Sequence, residues 1–290
     1  MNTALAPAGY AWRNWWPLAL GLAAVLLMSY IRFFKGAWNE PGGDHAPVVV
    51  TIALYLFWHE RQALAQAQAP ANPWPGAALL LAGLLVVMLG VRMRISSFEA
   101  LGHIPLIAGA LLMTGGTRLV RRMWFPLFFL LLAVPIPTFI LGIATANLKQ
   151  IVSTASVELL YRVGYPIARD GVVITIGHYQ LLVAEACSGM NSILSLSAVG
   201  LVFLYLMPVP RRWILAVALL SILPIAIAAN IIRIILLTLI TYHLGDAAGQ
   251  GFLHEFAGVA MFCFALLAFF SLTALLSRVG RVAHLQGSHA

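Results

Sequence analysis

The feature that most constrains this chain is a succession of apolar blocks, each near the roughly 20 residues that a helix needs to cross a bilayer. Most of the charged residues fall between the blocks or near their ends. The blocks lie near Pro17 to Phe34, Pro47 to Ala65, Trp74 to Arg92, Phe98 to Arg118, Met123 to Thr138, Ser188 to Met207, Trp213 to Tyr242 and Glu255 to Ser277. In lipid every backbone N–H and C=O has to be satisfied within the protein, and a helix does so inside a single segment. The blocks therefore predict an all-α polytopic membrane protein with about eight transmembrane helices. Composition points the same way: 62% of the 290 residues are hydrophobic and 9% are charged, against about 25% charged in a soluble domain. Residues 1–290 read as one transmembrane domain with no separate soluble module. The formal net charge of +8 comes from 17 dispersed Lys and Arg, with no basic run or stacking platform for nucleic acid. Met1 to Tyr10 has neither a basic n-region nor a small-residue cleavage site, so the first block reads as an uncleaved anchor.

The basic residues serve instead as a topology signal. With both termini in the cytoplasm, Arg13, Arg61, Arg118, Arg121, Arg122, Arg211, Arg212, Arg278 and Arg281 all fall inside, and only Arg32, Lys35, Arg92 and Arg94 fall in short outer loops. One stretch, about 138–186, is not simply a span and reads as an extracytoplasmic insertion. After Pro135-Ile136-Pro137 comes a mixed helical pattern containing Asn147, Lys149, Gln150, Glu158 and Arg162, expected to form an interfacial helix. The turn signal Arg169-Asp170-Gly171 and the runs Val172 to Ile176 and Tyr179 to Val183, joined by Gly177-His178, predict a short β-hairpin.

Two cysteines cannot make a disulfide framework. Cys263 lies in a wholly apolar run and is expected to be a buried thiol; Cys187 is left to be explained. It stands 24 residues before Arg211, Arg233 stands 21 after Arg212, and His254 stands 24 before Arg278. At about 1.5 Å per residue, each lies roughly 32 to 36 Å from a cytoplasmic marker, at the outer boundary. A thiol, an imidazole and a guanidinium at one depth suit acyl transfer: a thiolate to attack a carbonyl, a proton donor for the leaving amine and a cation facing the oxyanion. Cys187 directly precedes a span opening at Ser188-Gly189, where the helix dipole and a neighbouring Arg favour the thiolate. His254 also opens a helix, with Glu255 beside it.

Blander readings compete with each of these. A membrane cysteine is often structural, Arg233 could snorkel to the outer headgroups, and His254 could be a neutral interface residue. Glu185 could orient His254, bind substrate or act as a cap. Asn230, three residues before Arg233 on the same helix face, could hold its side chain or simply pack. Ser188 could cap its helix or, in a serine intramembrane protease, act as nucleophile with His254. A transporter or channel with Arg233 in an anionic pathway is a further class. His178 is expected in a hairpin turn, His243 and His103 at the interface, and His45, His284 and His289 in solvent. Trp12, Trp15 and Trp16 suit an interfacial belt. No metal-ligand spacing or nucleotide fingerprint is present, so neither a metal nor another cofactor is expected.

The strings Glu185-Ala186-Cys187-Ser188-Gly189-Met190-Asn191-Ser192, Asn230-Ile231-Ile232-Arg233 and His254-Glu255-Phe256-Ala257-Gly258 resemble, in order and spacing, the exosortase/archaeosortase family. The likeness runs from about His45 to Ala274 and includes the Pro135-Ile136-Pro137 turn and the Asp170-Gly171 hairpin. It implies a bacterial inner-membrane cysteine transpeptidase or protease with its active site on the extracytoplasmic side. The substrates would be exported PEP-CTERM proteins, whose C-terminal sorting signal is a Pro-Glu-Pro motif, a transmembrane helix and a basic tail, in bacteria that make exopolysaccharide. By the same resemblance Cys187 would be the nucleophile, His254 the proton-transfer residue and Arg233 the transition-state stabiliser. One departure is Asn191, where many members carry Arg, which implies that this chain could read a different signal.

Overall fold

The computed structural model describes residues 10–40, 43, 45–62, 73–182, 189–207, 212–245, 248 and 252–287. They form two compact units, Met1–Thr138 and Phe139–Ala290. Among the described residues five helices are long and apolar enough to cross a membrane; Ala46–His59, Trp124–Ala133 and Ile193–Leu206 are shorter apolar segments. Each expected block thus contains helix, and among the described residues five of them reach span length. In the block expected to reach Ala65 the first helix ends at His59, where the Glu60 N–H donates back to the Leu56 carbonyl; Arg61 and Gln62 are again helical, and residues 63–72 lie outside the described set. The block expected over Met123 to Thr138 is only a short helix and a 3-10 turn, because Pro135 and Pro137 cannot continue the backbone ladder.

The first unit contains α1 (Tyr10–Lys35), a 3-10 turn (Ala37–Asn39), α2 (Ala46–His59), α3 (Pro73–Met93), α4 (Ser96–Arg122), α5 (Trp124–Phe129) and a second 3-10 turn (Leu130–Ala133). Its frame is the antiparallel pair α3 and α4. The chain reverses within two residues because α3 ends in a Schellman motif: the Ile95 N–H donates to the Gly90 carbonyl and the Arg94 N–H to Val91. Arg94 takes the left-handed position, φ 57°, that usually falls to glycine. The two helices then meet backbone to backbone along glycines spaced by seven. A Cβ on Gly83 would stand 2.4 Å from the Leu106 nitrogen, one on Gly90 2.3 Å from the Glu99 nitrogen, and one on Gly109 2.5 Å from the Leu80 nitrogen. Without a hydrophobic drive between lipid-soaked helices, this close approach and its dispersion contacts hold the pair together.

Histidine placement differs from expectation in this unit. His45 is buried, not solvated, with its Nε2 2.9 Å from the Leu132 carbonyl oxygen. His103, expected at an interface, is buried among the rings of Tyr30 and Phe33, 5.3 and 5.9 Å away between centroids. Next to it Glu99, in the first turn of α4, accepts a hydrogen bond from Arg32 in the last turn of α1.

The second unit begins within α6 (Thr138–Arg162) and continues through β1 (Ile167–Asp170), β2 (Val173–Ile176), β3 (Tyr179–Leu182), α7 (Gly189–Leu206), α8 (Arg212–Leu244) and α9 (Phe252–Gly287). The expected hairpin is present as β2 and β3 around Gly177-His178, and β1 adds a third antiparallel strand, in the order β1-β2-β3. Arg169 and Asp170 belong to that strand, and the turn falls on Gly171-Val172. A strand spelled Ile-Ala-Arg-Asp shows too little apolar alternation to be read from sequence. Ile167, Ile174 and Ile176 share one buried face, packed against Val152 and Leu160 of α6 and Ile234 of α8. Arg169 lies on that same face and donates to the buried Ser153 hydroxyl of α6 at 3.3 Å.

Cys263 is exposed on α9, correcting the expectation of a buried thiol. In a lipid-facing helix an apolar run says nothing about which side points inward, since both sides are apolar.

Candidate active site

The site is built by three helices of the second unit. Gly200 of α7 marks where all three meet: a Cβ there would contact Phe269 of α9 at 3.2 Å and Ile222 of α8 at 3.4 Å. From this level Leu196 on α7, Ala226 and Ala229 on α8, and Phe262 and Ala265 on α9 continue the same buried cluster. Residue numbers fall along α7 and α9 while they rise along α8, so α7 and α9 run parallel to one another and antiparallel to α8. The two helices whose first turns are preceded by Cys187 and occupied by His254 therefore start at the same end, toward which α8 carries Arg233.

Toward that end a cavity of about 20 Å³ opens, lined by Leu196, Ala226, Ala229, Asn230, Arg233, Gly258, Met261, Phe262 and Ala265. It has room for about one water molecule. Arg233 and Asn230 are each 5% exposed. Arg233 thus turns inward among helices and does not snorkel into headgroups, and its three-residue spacing from Asn230 puts both on the cavity wall, as the periodicity predicts. Burying a guanidinium costs several kcal/mol of desolvation, which its surroundings have to offset.

Gly258 explains how a large cation fits between closely packed helices. A Cβ there would stand 3.2 Å from Arg233 Nη2 and 3.4 Å from its Cζ. The guanidinium therefore lies against the bare backbone of α9. His254 precedes Gly258 by four residues in the same helix, one turn away on the stripe that Gly258, Met261, Phe262 and Ala265 continue along the cavity.

The remaining sequence candidates divide by what is described. Glu185, Cys187 and Ser188 lie outside the described residues. Asn191, His254 and Glu255 belong to α7 and α9 as helix positions, and their side chains are not described. Arg233 and Asn230 are brought together, as above. One residue that the sequence did not single out lines the cavity: Gly258, visible as a small residue one turn after a candidate histidine; apart from it, the Arg169–Ser153 bond ties the sheet to α6. The sheet in turn packs on Ile231, Ile235 and Tyr242 of α8, and β3 ends at Leu182, five residues before Cys187. Among the described residues no group of three His, Cys, Asp or Glu is placed to hold a metal ion.

A family model described as transmembrane exosortase matches residues 37–271. No curated protein and no solved structure matches the chain.

Proposed function

Because this chain belongs to the transmembrane exosortase family, we propose that it is a membrane cysteine endopeptidase or transpeptidase in which Cys187, His254 and Arg233 carry the reaction. The observation behind this reading is the burial of Arg233 against Gly258, one helical turn from His254. Cys187 attacks the scissile carbonyl as a thiolate, forming the carbon–sulfur bond and moving the carbonyl electrons onto oxygen. Arg233 faces that oxyanion, and because its pocket is apolar the attraction is stronger than it would be in water. His254 gives its proton to the departing amine as the carbon–nitrogen bond breaks, leaving a thioester on Cys187. Water or an acceptor amine then attacks the thioester and frees the thiolate.

The substrate is an exported protein anchored by a C-terminal sorting signal of the PEP-CTERM kind: a Pro-Glu-Pro motif, a transmembrane helix and a basic tail. Such a substrate presents its scissile segment where its helix leaves the bilayer, the level at which α7 and α9 begin under the expected topology. In that topology both termini are cytoplasmic, the protein lies in the bacterial inner membrane and the site faces the periplasm, supported by the distribution of arginines between loops. Asn191 in place of the family's common Arg, in the first turn of α7, removes a cation that could read a substrate carboxylate, so this chain is expected to accept a signal less dependent on acidic residues.

Co-expression with a precursor ending in Pro-Glu-Pro, an apolar helix and a basic tail tests the proposal. Cys187→Ala leaves the precursor uncut; normal processing by that variant ends the proposal, and loss of processing in Ser188→Ala with retention in Cys187→Ser replaces it with a serine protease.

A further inference from the structure

We infer that Gly258 is a positioning residue for Arg233: its missing side chain sets where the guanidinium sits relative to His254. This rests on the reading of Arg233 as the oxyanion-facing cation. The three heavy atoms nearest to a Cβ at Gly258 are Nη2, Cζ and Nη1 of Arg233, at 3.2, 3.4 and 3.7 Å. No backbone atom is among them, in contrast with Gly83, Gly90 and Gly109, where the first atom met is a backbone nitrogen. What Gly258 admits is a side chain, and that side chain is the charged wall of the cavity. Helix register is fixed beside it, since Leu237 on α8, one turn after Arg233, packs in a buried pair with Ala257. The Leu237–Ala257 contact opposes a shift of α8 against α9, and the guanidinium, at the far end of a flexible side chain, is the part that gives way to a methyl group.

His254 and Gly258 occupy the same face of α9 one turn apart, near 6 Å between α-carbons. A single rigid helix therefore carries the proton donor and the surface on which the cation rests. Moving the guanidinium by a few tenths of an ångström changes its distance to the oxyanion while leaving the binding of the precursor's helix and tail untouched. The signature is a fall in kcat without a rise in KM.

The experiment uses the full-length protein in proteoliposomes, with the Pro-Glu-Pro precursor described above as substrate. It compares wild type, Gly258→Ala, Arg233→Lys, the double variant and Arg233→Ala for kcat, KM and melting temperature in detergent. Gly258→Ala is expected to lower kcat about tenfold with KM within about twofold. In the Arg233→Lys background the same methyl group is expected to change kcat by less than about twofold, because Lys has no Nη atoms to displace. A wild-type kcat in Gly258→Ala overturns the inference. So does an equal fall in the Arg and Lys backgrounds, which would make Gly258 a packing residue only. Where Arg233→Lys turns over too slowly to measure, melting temperature decides: a drop on adding the methyl group in the Arg background alone supports the contact, and equal drops overturn it. Wild-type processing by Arg233→Ala defeats the catalytic reading itself, an outcome distinct from either.

Discussion

Gly83 in the first unit and Gly258 in the second are both interior glycines of apolar helices, yet they do opposite work. At Gly83 the missing Cβ makes room for the backbone of α4, 2.4 Å from where the carbon would be; at Gly258 it makes room for the guanidinium of Arg233, at 3.2 Å. One region uses glycine to close two helices on each other, and the other uses it to keep a charged group between them. The first arrangement gains its stability from close packing. The second gives some of that packing up to hold a desolvated cation, which a membrane protein retains when the charge has a task.

The contrast is broken most severely by enlarging the seam. Gly83→Leu is expected to cost about 3 kcal/mol or more by overpacking against α4 backbone, read as loss of monodisperse protein after detergent extraction. Gly21→Leu, at a position with nothing within 4 Å, should leave the yield unchanged. In the second unit the severe effect falls on chemistry. Arg233→Ala should reduce precursor processing by about 10²- to 10³-fold while membrane levels of the protein stay near wild type. A fall in protein level that matches the fall in processing would return Arg233 to a structural role.

A milder probe separates the two polar clusters. Glu99→Gln weakens the bond from Arg32, whose side chain is 46% exposed, and should lower the melting temperature by about 2–4 °C, the equivalent of roughly 1 kcal/mol, with processing unaffected. Loss of processing there would mean that the first unit takes part in the reaction. The smallest effect is expected at Cys263, exposed on α9: Cys263→Ser should change stability, read as melting temperature in detergent, by no more than about 0.5 kcal/mol.

How much of this was legible in the sequence follows from which forces leave a local trace. Apolar blocks do: each contains helix, and among the described residues five reach span length. The tight turn Gly177-His178 does, and it closes β2 onto β3. Arg233 and Asn230 could be placed on one face from their spacing alone. Strand β1 could not be read, because Ala168, Arg169 and Asp170 have no strand-like alternation and are held by pairing to Thr175, Ile174 and Val173. The burial of His45 and His103 was equally hidden, since it depends on Leu132, Tyr30 and Phe33 arriving from other helices. Exposure of Cys263 was hidden for a different reason: when lipid is the solvent, hydrophobicity no longer distinguishes inside from outside. The glycine seam leaves a local trace as well, for Gly76, Gly83 and Gly90 stand seven apart, as do Gly102 and Gly109.

The central claim, that Cys187 reacts in a pocket completed by Arg233 and His254, is tested most directly by mass spectrometry of the wild-type protein quenched in acid during turnover of the Pro-Glu-Pro precursor. The account predicts a precursor fragment joined as a thioester to the peptide containing Cys187, absent in Cys187→Ala. A fragment joined to Ser188, or continued cleavage by Cys187→Ala with no covalent adduct, would contradict it.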